Sequence, residues 1–407
     1  MIYIILFIYL FNPPILPFNL VHILSFFSII YLVCVERKNI VELLKNSKFV
    51  VFIILMAFAI FYMLIIMLLS GQQCTPLLSY ILILENIPII IYIYCYCKKR
   101  KITFYQLIKK IIIVGTIQGL IALITYVNPN VHEILVNLLI KNGYGLVLEK
   151  LSAHRIFGFA SNLTYSTPIL QMFLTIIAIE IAITKKEKWM YLCIPILLFS
   201  GIINARTTIG ILLVGVVCII FFNINKKNYK AIIIITILIC CAMGYVTSYT
   251  GNNSNIKWIK VGINEITTFS KGETTGYFDT LFNKFMLFPN GIDLIGGTGS
   301  NIFGKEGENS DVGFINDIWM GGILLCVLLY SANIYIILKV EIPNNYIKKF
   351  YVIFACLTAI IMNIKGVYAQ GNNVLSTFML IFGFSNNMYN KEELKDGKEF
   401  NNYNYWL

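Results

Sequence analysis

The chain has 407 residues, 58% of them hydrophobic and 13% charged, and a mean hydropathy of +0.77. Soluble domains carry about 25% charged residues, so a soluble globular protein is excluded and an integral membrane protein with many spans is expected. A net charge of +12 is also met in nucleic-acid binders, but here the basic residues cluster in short segments between apolar runs, which makes them topological signals and argues against a nucleic-acid partner.

A membrane-crossing helix needs about 20 mostly apolar residues. The first run, 2–11, is short and ends at Pro13-Pro14; extending it through 15–18 reaches the length, but Pro17 interrupts the extension. It lacks a basic leader and a small-residue cleavage site, which predicts a retained helix rather than a signal peptide. Further runs cover 19–34, 49–70, 77–97 and 111–127. The sixth, 167–184, opens with Thr167 as an N-cap and Pro168 at the first helical position. Runs at 189–203, 209–224, 231–250, 315–338, 350–363 and 374–389 follow. The expected fold is therefore all-α, a polytopic membrane protein with about twelve transmembrane helices. Residues 1–250 form helices one to nine with an outer loop at 128–165, 251–314 form a large outer loop, 315–389 form helices ten to twelve, and 390–407 form a cytoplasmic tail.

Orientation follows from charge. The segments after the even-numbered spans hold 22 of the 32 Lys and Arg residues. The positive-inside rule then places both termini in the cytoplasm and the segments 128–165, 204–208, 251–314 and 364–373 outside. Of the ten cysteines, Cys95, Cys97, Cys193, Cys218, Cys240, Cys241, Cys326 and Cys356 lie in or beside apolar runs and read as small hydrophobes; no Cys/His metal spacing appears.

The large outer loop carries two amphipathic patterns. Ile256, Ile259, Ile263 and Ile266 recur at helical spacing, as do Phe278, Leu281, Phe282, Phe285 and Met286. Two helices lying at the outer membrane–water interface are expected, against ordinary packing of the loop on the spans. The loop ends in a glycine-rich stretch with Gly296, Gly297, Gly299 and Gly304, followed by Ser310, Asp311 and Gly313 at the mouth of span ten.

Outer cations are scarce, so Arg155 and Arg206 are informative. An arginine fork suits phosphate oxygens, and two at one membrane face would grip a diphosphate; pairing with local carboxylates or lipid headgroups is the alternative. Lys141, Lys150, Lys257 and Lys260 are possible assistants. Asp311 is a candidate general base, with a helix cap or a salt bridge as its structural alternatives, and Asp317 competes from just inside the span. His154, beside Arg155, is a candidate base or second phosphate contact. Gly299 and Ser310 complete the expected substrate-binding set. Glu85, near the middle of span four and followed by Asn86 and Pro88, reads equally as an interhelical partner or a functional carboxylate. Glu180 is expected to snorkel towards the cytoplasm, and His22 to be buried or interfacial.

Three stretches, HRIFGFASNLTYSTPIL, LLFSGIINARTTIGILLVGVV and GGTGSNIFG…SDVGFINDIWMGG, together resemble the O-antigen polymerase (Wzy) and O-antigen ligase superfamily in order, spacing and membrane context. The resemblance spans most of 155–322. It implies a bacterial inner-membrane glycosyltransferase with about a dozen helices, acting on undecaprenyl-diphosphate-linked oligosaccharide without metal or cofactor in O-antigen or capsule synthesis. Membrane lipid and a chain-length regulator are the further partners it admits. By the resemblance, Arg155 and Arg206 match diphosphate-handling arginines, and Asp311 belongs to a recurring SD-x-G motif. Two departures stand out. The 251–314 loop has no histidine, unlike that of the ligases, which favours a polymerase. Where relatives place an arginine near the second amphipathic helix, only Lys271 and Lys284 are available.

Overall fold

The computed structural model describes residues 1–38, 41, 47–71, 75–144, 155–156, 158–161, 165–224, 254–273, 276–302, 309–366 and 371–388. Among them the regular structure is helical, with no strand. The expected ninth run, 231–250, and the tail lie outside the described residues. The helices are α1 (Ile2–Phe11), α2 (Leu20–Val35), α3 (Ser47–Ser70), α4 (Thr75–Leu84), α5 (Asn86–Lys99), α6 (Phe104–Val127) and α7 (Pro129–Leu139). They continue with α8 (Ser166–Lys185), α9 (Met190–Asn204), α10 (Thr207–Asn223), α11 (Ser254–Ser270), α12 (Gly276–Thr280), α13 (Ile292–Gly296), α14 (Gly313–Leu338), α15 (Asn345–Lys365) and α16 (Asn373–Met388).

Among the described residues, six helical stretches are long and apolar enough to cross a membrane, and five apolar helices are shorter. Leu68 and Leu69 on α3 are 75% and 80% exposed. Together with Phe58, Phe61, Leu192 and Phe221 they form an apolar exterior that water would not tolerate, so the protein is membrane-embedded. The opposite case is α8, where 89% of the most apolar window is buried. A helix apolar all round belongs inside a bundle, and α8 packs against α6, α9, α10, α15 and α16. Phe173 on α8 stacks on Phe354 of α15 at 5.3 Å and meets Phe378 of α16 edge-on at 5.2 Å. Such pairs add about 0.5–1.5 kcal/mol each beyond burial.

Several local expectations change. The first run stops at Phe11, where Asn12 turns left-handed at φ 42°, so no extension through 15–18 occurs. Thr167 does not cap α8: the helix already begins at Ser166, and the Thr167 hydroxyl instead accepts a bond from Asn373 Nδ2 at 2.8 Å. Glu180 does not snorkel. It is 2% exposed and accepts from Asn223 Nδ2 at 2.9 Å, because α10 supplies a donor inside the bundle. At Glu85 the helix is interrupted between α4 and α5, and Asn86 Nδ2 bonds the Ile83 carbonyl, a side-chain repair of the kind broken membrane helices need.

The longest helix, α14, is broken at Gly321 and Gly322. Gly322 sits at φ +68°, ψ −172°, a region open to glycine alone, and a Cβ there would strike the Ile295 carbonyl. The loop after α13 packs into the break. The amides of Thr298 and Gly299 donate to the carbonyls of Trp319 and Met320 at 2.8 and 3.0 Å.

Ion pairs sort the helix ends into two sets. At one end Lys48 meets Glu341, Lys99 meets Glu36 and Lys109 meets Glu187. At the other, Arg206 meets Glu265 and Lys365 meets Asp311. The residues of the second set come from the segments that the charge count assigns to the outer side.

Candidate functional site

Five charged side chains converge at that second end. Arg155 lies in the segment 155–161, Arg206 at the α9–α10 corner, Glu265 on α11, Asp311 on the approach to α14, and Lys365 at the end of α15.

Each is held by its local structure. The Ile156 amide, next to Arg155, donates to Asn204 Oδ1 at 2.7 Å, and Asn204 Nδ2 ties back to the Ser200 carbonyl. The Phe159 amide donates to Gln118 Oε1 at 3.2 Å. Arg155 thus leans on the same corner that carries Arg206. Arg206 donates from Nη1 to Glu265 Oε2 at 3.1 Å. Its aliphatic stem crosses Gly262 of α11, where a Cβ would collide with it. The helix itself is seated by Ile259 and Ile263, buried against Ile209 and Ile202. Two residues of the α11 apolar stripe, Ile259 and Ile263, are therefore covered by packing on the spans. Phe269 of α11 stacks on Phe282 at 5.9 Å, joining the two amphipathic segments of the loop.

Asp311 accepts from Lys365 Nζ at 3.0 Å. It does not cap α14: Val312 is the N-cap residue, and no side chain bonds there. Lys365 interacts electrostatically with Asp311, Arg155 and Arg206, and Arg155 with Arg206 and Asp311. Burial lowers the Arg155 pKa from its ordinary value. The positive charge of Arg206 pushes it the same way, and Asp311 opposes both. A guanidinium nevertheless stays charged. Three cations against two carboxylates leave these five groups one positive charge in excess. Like charges held together are costly when partly removed from water, and an anionic ligand relieves that cost. The arrangement is suited to gripping a phosphate or diphosphate.

The expected site residues fall into four groups. Arg155, Arg206 and Asp311 come together. Ser310 and Gly299 are spent within the loop: the buried Ser310 hydroxyl donates to the Phe285 carbonyl at 2.7 Å, and Gly299, at φ +75°, pairs its amide with Met320. His154 and Lys150 lie outside the described residues. Asp317 joins a different network, buried and accepting from Tyr330 Oη at 2.7 Å and Tyr80 Oη at 3.4 Å. Sequence reasoning missed Lys365, one of only ten cations on the side expected to face outward; that scarcity was the signal that could have found it.

Comparison with family models, with curated proteins and with solved structures finds no significant match. The site therefore rests on its own chemistry.

Proposed function

We propose that the protein is a lipid-linked oligosaccharide polymerase, a polytopic enzyme of the bacterial plasma membrane with twelve spans and both termini in the cytoplasm. It joins undecaprenyl-diphosphate-linked repeat units into O-antigen or capsular polymer on the outer face. The observation that carries this reading is the convergence of Arg155, Arg206, Lys365 and Asp311 from four separate segments at one end of an apolar bundle.

In this reading the growing chain is the donor. Its diphosphate sits on Arg155 and Arg206, whose planar forks bind phosphate oxygens bidentately. Lys365 adds a third positive charge and is itself oriented by Asp311. A hydroxyl of the incoming repeat unit attacks the anomeric carbon, the bond to the diphosphate oxygen breaks, and undecaprenyl diphosphate leaves with the bonding pair. The cations stabilise the charge that grows on the leaving oxygen, so positioning and electrostatics supply most of the catalysis. A general base contributes modestly, with Asp311 and His154 as its candidates.

Loss of the gene, scored by polymer length, tests the reading. Accumulation of single-unit material is expected. Full-length polymer left unattached to its final acceptor would indicate a ligase instead. Repeat units trapped on the cytoplasmic face would indicate a flippase.

A further inference from the structure

A polar cavity of about 100 Å³ opens at the same end of the bundle, where α1 ends, α2 and α16 begin, and Glu85 interrupts the helix. Five asparagines line it, together with His22 and Glu85. The asparagines are fixed by bonds within the fold: Asn12 Nδ2 donates to Ser161 Oγ at 2.8 Å, Asn19 Oδ1 caps the Val21 amide at 2.8 Å, and Asn86 Oδ1 accepts from Ser376 Oγ at 3.0 Å. His22 Nδ1 and Glu85 Oε2 lie 2.5 Å apart. Among the described residues, His22 Nε2, Glu85 Oε1 and Asn19 Nδ2 have no protein partner.

No lysine or arginine lines this cavity, so it does not suit a phosphate. The Asn19 amide and the His–Glu pair offer a donor and acceptors side by side, which is what hydroxyl groups require, since each donates once and accepts twice. The volume accommodates several waters, or the hydroxyl-bearing edge of a sugar ring. The cavity is also tied to the charged cluster by two short stretches of chain. One runs from Arg155 to Ser161, which bonds both Asn12 and the Phe11 carbonyl. The other runs from Lys365 to Asn372 on the cavity wall. Six or seven residues reach at most about 25 Å, so the two sites are neighbours on one face.

We infer that this cavity is a carbohydrate-binding site, holding sugar hydroxyls on Asn19, His22 and Glu85 beside the cationic cluster. That its sugars are those of a repeat unit rests on the polymerase reading; that it binds carbohydrate does not.

Purified protein in nanodiscs is probed on an array of bacterial repeat-unit oligosaccharides, and separately with undecaprenyl diphosphate, which carries no sugar. Glu85→Gln removes a charged acceptor. Gly371→Trp adds bulk at the cavity mouth from an exposed position where a Cβ would make only ordinary van der Waals contact with Ile83 and Ser79, and an unfolding temperature in detergent matching that of wild type keeps the test clear of misfolding. Both variants are expected to weaken glycan binding at least about tenfold while undecaprenyl diphosphate binding stays unchanged. Wild-type protein that binds no glycan, or variants that bind as well as wild type, overturn the inference. If loss of the gene leaves polymer length unchanged while the glycan binding and its loss in the variants hold, the polymerase reading fails and the carbohydrate site stands.

Discussion

Lys365 Nζ donates to Asp311 Oδ2 across 3.0 Å, linking the last residue of α15 to the approach of α14. The pair joins two residues with different histories in the sequence, a carboxylate in a recognisable motif and a lysine that closes an apolar run. If the pair positions the site, each half is needed. Lys365→Met and Asp311→Asn should each cut polymer at least tenfold at normal membrane levels. The swapped double variant, Asp311→Lys with Lys365→Asp, should recover part of it. Full-length polymer from Lys365→Met would show the contact to be incidental.

Arg155→Lys and Arg206→Lys should each lose most polymer with protein levels intact, because a lysine keeps the charge but not the bidentate fork. Polymer-length gels beside membrane immunoblots provide the readout. Wild-type ladders from both variants would remove the diphosphate role.

Gly262→Ala sets two effects against each other. Alanine favours a helix over glycine by up to about 1 kcal/mol. Here its methyl would collide with the Arg206 stem at Cδ and Cγ. Steric displacement should win at the site, so polymer falls towards the Arg206→Lys level while thermal stability changes little. Unaltered polymer would mean that Arg206 tolerates another path.

Orientation is open to direct measurement. Cysteine at Asn264, exposed on α11, should react with a membrane-impermeant thiol reagent in intact, outer-membrane-permeabilised cells; cysteine at Arg100, exposed at the other end, should not. The background must lack native accessible thiols, including the exposed Cys34. The reverse labelling pattern would turn the site to the cytoplasm.

Asp317 is buried and holds two tyrosine hydroxyls. Asp317→Ala should leave Tyr330 Oη without its acceptor, at a cost of about 1–3 kcal/mol. A lower unfolding temperature in detergent is expected, with Tyr80→Phe much milder because its bond is 3.4 Å long. Equal stability of Asp317→Ala and wild type would point away from a structural role.

Much of this architecture is legible in the chain, and the rest is hidden for identifiable reasons. Apolar runs locate helices because the spanning length is a physical constant of the bilayer. Arg155 and Arg206 stand out because cations are rare on their side. Lys365 was hidden because a basic residue at a helix end ordinarily reads as a flank. The fate of Glu180 depended on Asn223, 43 positions away on another helix, and that of Thr167 on Asn373, 206 positions away. Periodicity carries no information about such pairings. The break at Gly321-Gly322 was equally silent, since glycine is common in membrane helices without breaking them.

The contact between that break and the preceding loop fixes the turn against α14. Lifting the Gly297–Ser300 turn would strip the carbonyls of Trp319 and Met320 of their donors. Bare carbonyls away from water cost several kcal/mol each, and no continuous helix is there to take them back. The turn is thus masonry rather than a door. On the polymerase reading proposed above, a lipid-borne substrate would then reach the charged cluster between helices rather than past this turn.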